Sequence, residues 1–422
     1  MEAEILQLLT RLYPICRSLT GDGNRETLEI IREHIPLDIK EVPTGTKAFD
    51  WEVPKEWNIR DAWVKHAGKK VIDFGNSNLH VMGYSTPVNE VMSLEKLKKH
   101  LYTLPDKPTA IPYRTSYYKE QWGFCVSHEE CEKLEDGEYE VFIDSELKDG
   151  SLTYGELYLE GKTKDEFLVS TYICHPSMCN DNLSGVVLST FLAKELIKRD
   201  RYMSYRFLFV PETLGSIVWL SRNEDTVYNI KYGLIATCTG DDGCVTYKMA
   251  KNEDALINEI VVKSLQDSGV PHVLQDFYPW GSDDRQYSSP GFDMPVGSLM
   301  RTPYRHFSEY HTSLDDLNFV SADNISDSVD RYIDVVNIVE SNKTYINKNP
   351  KCEPLLGKHG FYNIAGGQKK PEVLDAIRWI LSLSGGDNSL LDISKRSGME
   401  FYKIAQAAKA LRECGLIEEI QQ

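Results

Sequence analysis

Apolar residues recur at helical spacing near the start of the chain, at Ile5, Leu8, Leu9 and Leu12 and then at Leu28 and Ile31. This spacing predicts two short helices, over residues 3–15 and 24–34, parted by the break Gly21-Asp22-Gly23. From about residue 40 to 135 the pattern changes. Pro, Gly, Trp and Tyr punctuate short apolar runs such as Lys70 to Asp73, His80 to Tyr84 and Trp122 to Val126, which predicts a small β-rich module.

Beyond it, strand-like and helix-like segments alternate. Strands are expected at Tyr139 to Ile143, Glu156 to Glu160, Phe167 to Ile173, Tyr205 to Val210, Gly233 to Cys238 and Met294 to Ser298. Helices are expected near Gly185 to Lys198, Ser216 to Arg222, Ala255 to Ser268 and Ala322 to Ser341. The alternation predicts an α/β fold, a mostly parallel mixed sheet with helices on both faces. The opening helices can belong to the same unit, so the expected division is residues 1–40 with 136–345, interrupted by an inserted β domain at 41–135. After a polar stretch, Asn342 to Gly367, three helices (Pro371 to Leu383, Ser389 to Ser397, Glu400 to Glu413) and a short strand at Leu416 to Ile420 read as a winged-helix domain over 350–422.

Composition narrows the functions available. At 422 residues the chain has material for two or three domains, and its formal charge of −17 repels phosphate backbones and anionic membranes. Nucleic acid is a poor partner even for the winged helix, because Glu400 and Glu413 offset Lys403, Lys409 and Arg412. The nine cysteines form no regular CxxC pattern and read as reduced thiols. With no signal-like start and no apolar run of about 18 residues, the expectation is a soluble cytoplasmic protein without membrane attachment. A homo-oligomer is compatible with all of this.

Candidate chemistry gathers where expected strands end, the usual place for it in parallel sheets. The strand ending at Ile173 runs into Cys174-His175-Pro176-Ser177-Met178-Cys179-Asn180-Asp181-Asn182-Leu183-Ser184-Gly185, just before a helix. His and carboxylate are zinc ligand types. Asp181 or Ser184 could merely cap the helix, but capping leaves the histidine unexplained. The next strand ends in Pro211-Glu212-Thr213-Leu214-Gly215-Ser216, where Glu212 is placed either as a metal ligand or as a general base, or as a carboxylate favoured by the helix dipole. A third segment, Arg301 to Asp316, holds His306 and His311. A fourth, Trp280 to Tyr287, pairs adjacent acids with Arg285, and is either a substrate loop or a solvated turn.

In their order, CHPSxxNDNLSG, PETLGS, GSDDRQY and EYHTSLD resemble the co-catalytic zinc aminopeptidase superfamily, which also includes carboxypeptidase-like and glutaminyl cyclase relatives. Within it the chain is most similar to a bacterial group with an inserted β domain and a C-terminal winged helix. The resemblance implies one or two zinc ions held by His175, Asp181 and His311, with Asp181 bridging and Asn182 orienting its loop. It implies a zinc-activated water that cleaves an amide bond next to a free amino group in a small peptide or related substrate.

Two positions depart from the superfamily's pattern. It carries two consecutive carboxylates after the second strand, whereas Glu212 stands alone before Thr213 and must be metal ligand or catalytic base, with Asp283 or Asp284 as substitutes in the second role. An aspartate expected after Cys238 is replaced by Thr239-Gly240-Asp241-Asp242, so Asp241 or the Cys238 thiolate would have to serve. Asp283 is expected to hold a substrate amino group, and Arg285 or Arg301 a carboxylate or sugar acid. The alternative is a peptidase-fold binding or scaffold protein with weak or lost catalysis, linked to polysaccharide biosynthesis.

Overall fold

The structure is a computed structural model and describes residues 1–117, 119–361 and 371–420, the side chains of residues 371 and 372 excepted. The end of the polar stretch, residues 362–367, lies outside the described residues. Two compact units emerge, Met1–Ile257 with Pro271–Asp330, and Asn258–Val270 with Arg331–Gln422.

The first unit is organised by an eight-stranded mixed sheet. In spatial order its strands are Asp38–Pro43, Ser151–Leu159, Ser204–Val210, Glu166–Tyr172, Ile230–Ala236, Val296–Met300, Val245–Lys248 and His272–Gln275. The four strands from Ser204–Val210 to Val296–Met300 are parallel neighbours, and antiparallel joins flank them on either side. Glu166–Tyr172 is buried along its whole length, as suits a central strand covered on both faces. Helices flank the sheet. Leu214–Arg222 packs Leu214, Ile217 and Val218 with Leu168, Leu208, Val210 and Ile235, while Ser184–Ile197 lies against Glu166–Tyr172 and Ile230–Ala236.

The Ser184–Ile197 helix is buried on every side over its first ten residues. It comes so near the sheet that a β-carbon on Gly185 would sit 2.2 Å from the Ala236 carbonyl oxygen. Backbone contact of this kind fixes the turn that precedes the helix, and Asp181 lies in that turn.

Three strands of the inserted segment join Glu138–Lys148, beyond its expected end at 135, in a four-stranded antiparallel sheet in the order Lys69–Asp73, Glu56–His66, Glu138–Lys148, Val88–Ser93. The segment Tyr139 to Ile143, read as the first strand of the α/β pattern, is part of this smaller sheet instead. Its burial alternates residue by residue, as a strand with one covered face requires. His80 to Tyr84 forms a short 3₁₀ turn and isolated bridges rather than a strand. The insert clusters with the α/β sheet in a single unit.

In the second unit, helices Pro371–Leu383, Leu390–Ser397 and Phe401–Glu413 accompany a three-stranded sheet of Gly385–Ser389, Thr344–Asn347 and Ile417–Glu419, a winged-helix arrangement. Ser389 and Asp392 form a capping box at the start of the middle helix. Residues of the 258–268 helical segment tie to this unit. Lys263 donates to the Met399 carbonyl at 2.8 Å, and Asp267 accepts from the Phe401 amide at 2.7 Å. On the third helix Lys403 pairs with Glu400 at 2.9 Å, and Arg412 lies 3.7 Å from Glu419. No helix of the described residues is long and apolar enough to cross a membrane.

Gly185→Ala tests how tightly the Asp181 turn is held. Overpacking costs about 1–3 kcal/mol in a close-packed interior, so the urea unfolding midpoint should fall by a corresponding amount, whereas an unchanged midpoint would mean that the helix can withdraw freely.

Candidate metal centre

His175 emerges three residues past the Glu166–Tyr172 strand, and its turn is braced from the N-terminal region. The Arg17 guanidinium, only 2 % exposed, donates through Nε to the His175 carbonyl at 2.9 Å and through Nη1 to the Leu12 carbonyl at 2.6 Å. Ser177 Oγ donates to the Tyr13 carbonyl at 2.8 Å. Asp181 follows in an irregular turn over Cys179–Leu183, with a cis peptide to Asn182. Asp315 holds that turn by its backbone, since its carboxylate oxygens accept the amides of Asn180 at 2.6 Å and Asp181 at 2.9 Å. Asn182 supplies the other tie, its Nδ2 lying 2.9 Å from Thr171 Oγ1 and 3.2 Å from the Ala236 carbonyl.

These ties bring the side chains of His175, Asp181 and His311 together, so that one candidate ligand atom from each lies within 4.8 Å of the other two. A second such group joins Cys174, His175 and Glu212. His311 Nε2 stands 2.9 Å from Asp181 Oδ2, yet the two are not aligned as a hydrogen bond, and neither atom has another partner. Glu212 Oε2 is 3.7 Å from His175 Nε2, and its side chain keeps about a fifth of its surface exposed (21 %). Two buried atoms that converge without bonding fit a shared cation, and a set of imidazoles and carboxylates suits zinc.

Electrostatics follow from burial. It drives His175 down to about 4, so the imidazole is neutral and able to ligate at neutral pH. Burial alone would raise the Asp181 carboxyl, but His175, His311 and the Tyr172 hydroxyl that donates to Oδ1 outweigh it and hold the group near 2. Glu212 lies well above the usual carboxylate range, first from burial and then from Asp283 and Asp181. Burial likewise lifts Asp315 to about 8 against the amides that bond it.

Asp283, expected at a substrate amino group, is fully buried. Its Oδ1 accepts from the Thr213 amide at 2.6 Å and Ser216 Oγ at 3.0 Å, which anchors the start of the Leu214–Arg222 helix, while Oδ2 is unpartnered. Arg285 is exposed, and its charge acts on both Glu212 and Asp283. Arg301 is engaged by the scaffold rather than turned to a ligand: its guanidinium donates to the Gly243 carbonyl at 3.1 Å and meets Asp327 at 2.7 Å. Asp284 pairs with buried Lys248 at 2.7 Å. Asp241 is surrounded by donors from Asn180, Gly243 and Thr302, and neither it nor Cys238 joins a metal-type cluster among the described residues. Cys174 is a buried thiol, pushed well above its ordinary value by desolvation, and its sulfur accepts the Glu212 amide at 3.3 Å.

Sequence reasoning missed Arg17, Tyr172 and, most of all, Tyr113 of the insert. The Tyr113 ring lies edge-on to both His175 and His311, with ring centres 5.2 Å apart in each case. Tyr310 stacks on His311 at 3.9 Å. Asp315 sits inside a quoted motif at a fixed distance from His311, and that spacing was its available signal. Nothing local marked Tyr113.

A wide mixed sheet carrying this cluster at the ends of its parallel strands, with a winged helix after it, is the architecture of an aminopeptidase-like protein. Residues 6–342 match the family described as a domain of unknown function (DUF4910), and the chain belongs to that family; residues 343–419 match a winged helix-turn-helix family. A Clostridium acetobutylicum protein provisionally named as a polysaccharide biosynthesis protein with an aminopeptidase-like domain is 56 % identical over 417 residues, covering 98 % of this chain and 96 % of its own. A crystal structure of a provisionally named peptidase from the same organism superposes with a TM-score of 0.95 at 54 % identity, over 99 % of this chain and 96 % of that one. The zinc aminopeptidase BSAP of Bacillus subtilis shares the fold at 12 % identity, with a TM-score of 0.58 over 80 % of this chain and 93 % of its own.

Asp315→Asn leaves one of the two amides without its acceptor. Changes to groups that orient a ligand typically cost about 10–100-fold in metal affinity. Zinc affinity measured by chelator competition should fall by that factor, and an unchanged affinity would remove Asp315 from the account.

Proposed function

We propose that the chain is a zinc-dependent aminopeptidase-like hydrolase that cleaves an amide next to a free amino group. The observation that carries this reading is the convergence of unpartnered Asp181 Oδ2 and His311 Nε2 beside His175, with Glu212 a few ångströms away. His175, Asp181 and His311 would hold the metal. When bound, zinc supplies a Lewis acid and brings the pKa of a coordinated water toward about 7.

The chain's own residues do the rest. Glu212, partly open to solvent at the edge of the cluster, takes a proton from water on a carboxylate oxygen and returns it to the departing amine. Burial, then Asp283, raises the proton affinity of Glu212 above that of an ordinary carboxylate. Arg285, exposed and near enough for its charge to act on Glu212, is the remaining candidate for a substrate carboxylate or sugar acid. The name of the Clostridium relative favours an amide-linked group in a polysaccharide precursor over a general peptide. The free cysteines suit a reducing, cytoplasmic setting.

One observation favours a second reading, that of a binding protein on a peptidase scaffold: Thr213 stands where a second carboxylate would complete a two-metal site. Zinc stoichiometry and turnover decide between the two. The hydrolase reading expects at least one equivalent of zinc and hydrolysis of aminoacyl p-nitroanilides. It expects Glu212→Gln to lower kcat by at least about 10²-fold, the range of general acid–base contributions, with zinc retained. Protein that cannot be loaded with zinc, or activity that survives in His311→Ala, would contradict it.

A further inference from the structure

Lys248 is buried to 2 % exposure, and its ammonium is fully engaged. It pairs with Asp284 at 2.7 Å and donates to the Trp280 carbonyl and the Tyr304 hydroxyl, each at 3.0 Å. An ammonium has three protons, so none is left for a ligand. These contacts fasten the segment around Trp280 to Tyr304. Gly281 lets the two close up, because a β-carbon there would lie 1.8 Å from the Tyr304 ring. The joint borders a cavity of about 430 Å³ whose walls include Gln275, Tyr278, Trp280, Tyr304, Arg305 and His306. Small-molecule sites usually measure about 300–1,000 Å³.

Arg305 differs from Lys248 in having its donors to spare. Its guanidinium lies over the Trp280 ring, 3.8 Å from the ring centre, and among the described residues it donates no hydrogen bond and meets no carboxylate. Its backbone is left-handed, with φ at 65°, inside a turn closed by the His306 amide on the Pro303 carbonyl at 3.0 Å. Glycine and asparagine suit such a position, and an arginine held there is locally disfavoured. Outliers of this kind gather where ligands bind. Tyr278 adds an aromatic ring that is 59 % exposed. The cavity also adjoins the metal cluster: Glu212 and Asp181 are near enough to act on the Tyr304 phenol, and Arg305 on that of Tyr310, whose ring stacks on His311.

We propose that this cavity is a substrate subsite for an anionic sugar, with the Arg305 guanidinium binding its carboxylate or phosphate and Tyr278 packing on the sugar ring. A planar fork of N–H donors matches either anion in bidentate fashion, and stacking on Trp280 fixes the fork before the ligand arrives. The subsite rests on the hydrolase reading above and extends the substrate beyond the amide. It is separate from Arg285, whose charge acts at Glu212.

The test titrates wild type and Arg305→Asn by calorimetry with methyl β-D-glucuronide, D-glucose 6-phosphate and, as the neutral control, methyl β-D-glucoside. Wild type should bind at least one acidic sugar, the tighter of the two identifying the anion, and the glucoside at least about ten-fold more weakly. Arg305→Asn should lose about ten-fold or more of that affinity, the scale of a hydrogen bond to a charged group. Its melting temperature should equal or exceed that of wild type, since asparagine tolerates the left-handed backbone. Wild type that binds neither acid, or binds the glucoside equally well, would overturn the subsite. So would Arg305→Asn that binds as wild type does, or that loses affinity together with melting temperature. Zinc content and L-leucine p-nitroanilide turnover of the same wild-type samples report on the hydrolase reading separately. Turnover without sugar binding removes the subsite and leaves that reading standing. Sugar binding by protein that takes up no zinc and hydrolyses nothing would overturn the hydrolase reading, and with it the assignment of the cavity to a hydrolase substrate.

Discussion

A carboxylate buried to 1 % exposure cannot stay charged without partners, because desolvating an isolated ion costs far more than one contact returns. Asp181 is such a group, and much of the first unit is arranged around it. His175 and His311 face it from two loops, Tyr172 donates from the strand beneath, and Asp315 holds its backbone from the same segment as His311. The ties extend outward: Arg17 locks the His175 turn to the first helix, and Gly185 lets the following helix touch the Ile230–Ala236 strand. In our reading this geometry exists to present Asp181 and two imidazoles to a metal ion, whose positive charge would replace the weaker support they give one another.

The surrounding charges divide by the partners they already have. Lys248 with Asp284 and Arg301 with Asp327 are ion pairs that hold loops, and their charge is matched within the protein. Asp283 spends one oxygen on the start of a helix and keeps the other free. Glu212 is partly exposed, has a raised proton affinity and lies close to a candidate ligand, and in our reading it is the carboxylate that moves the proton. In that reading the absent second carboxylate would bear on the number of metal ions held more than on proton transfer.

The legible parts of this site were those encoded locally. His175, Asp181 and Glu212 follow directly from strands whose apolar runs are unmistakable, and His311 stands in a motif of fixed spacing. What sequence could not convey was pairing across distance. Tyr113 reaches the cluster only because residues 111–113 bridge to 311–313, and no periodicity encodes such a bridge. Arg301 looked like a ligand anchor because it is a cation in a polar loop, and only the packing reveals that Gly243 and Asp327 occupy it. Tyr139 to Ile143 has the composition of any strand, and which sheet it joins is decided by its long ladder with Glu56–His66. The edge strands Val245–Lys248 and His272–Gln275 are too short for a clear pattern.

Zinc K-edge X-ray absorption of protein loaded with one equivalent tests the central claim most directly, because it reads the ligand atoms themselves. The account predicts a shell of nitrogen and oxygen scatterers at about 2.0–2.2 Å, with imidazole signatures and no sulfur. A sulfur scatterer at about 2.3 Å would put Cys174 or Cys238 on the metal, and a shell without imidazole would take His175 and His311 off it; either result would contradict the account.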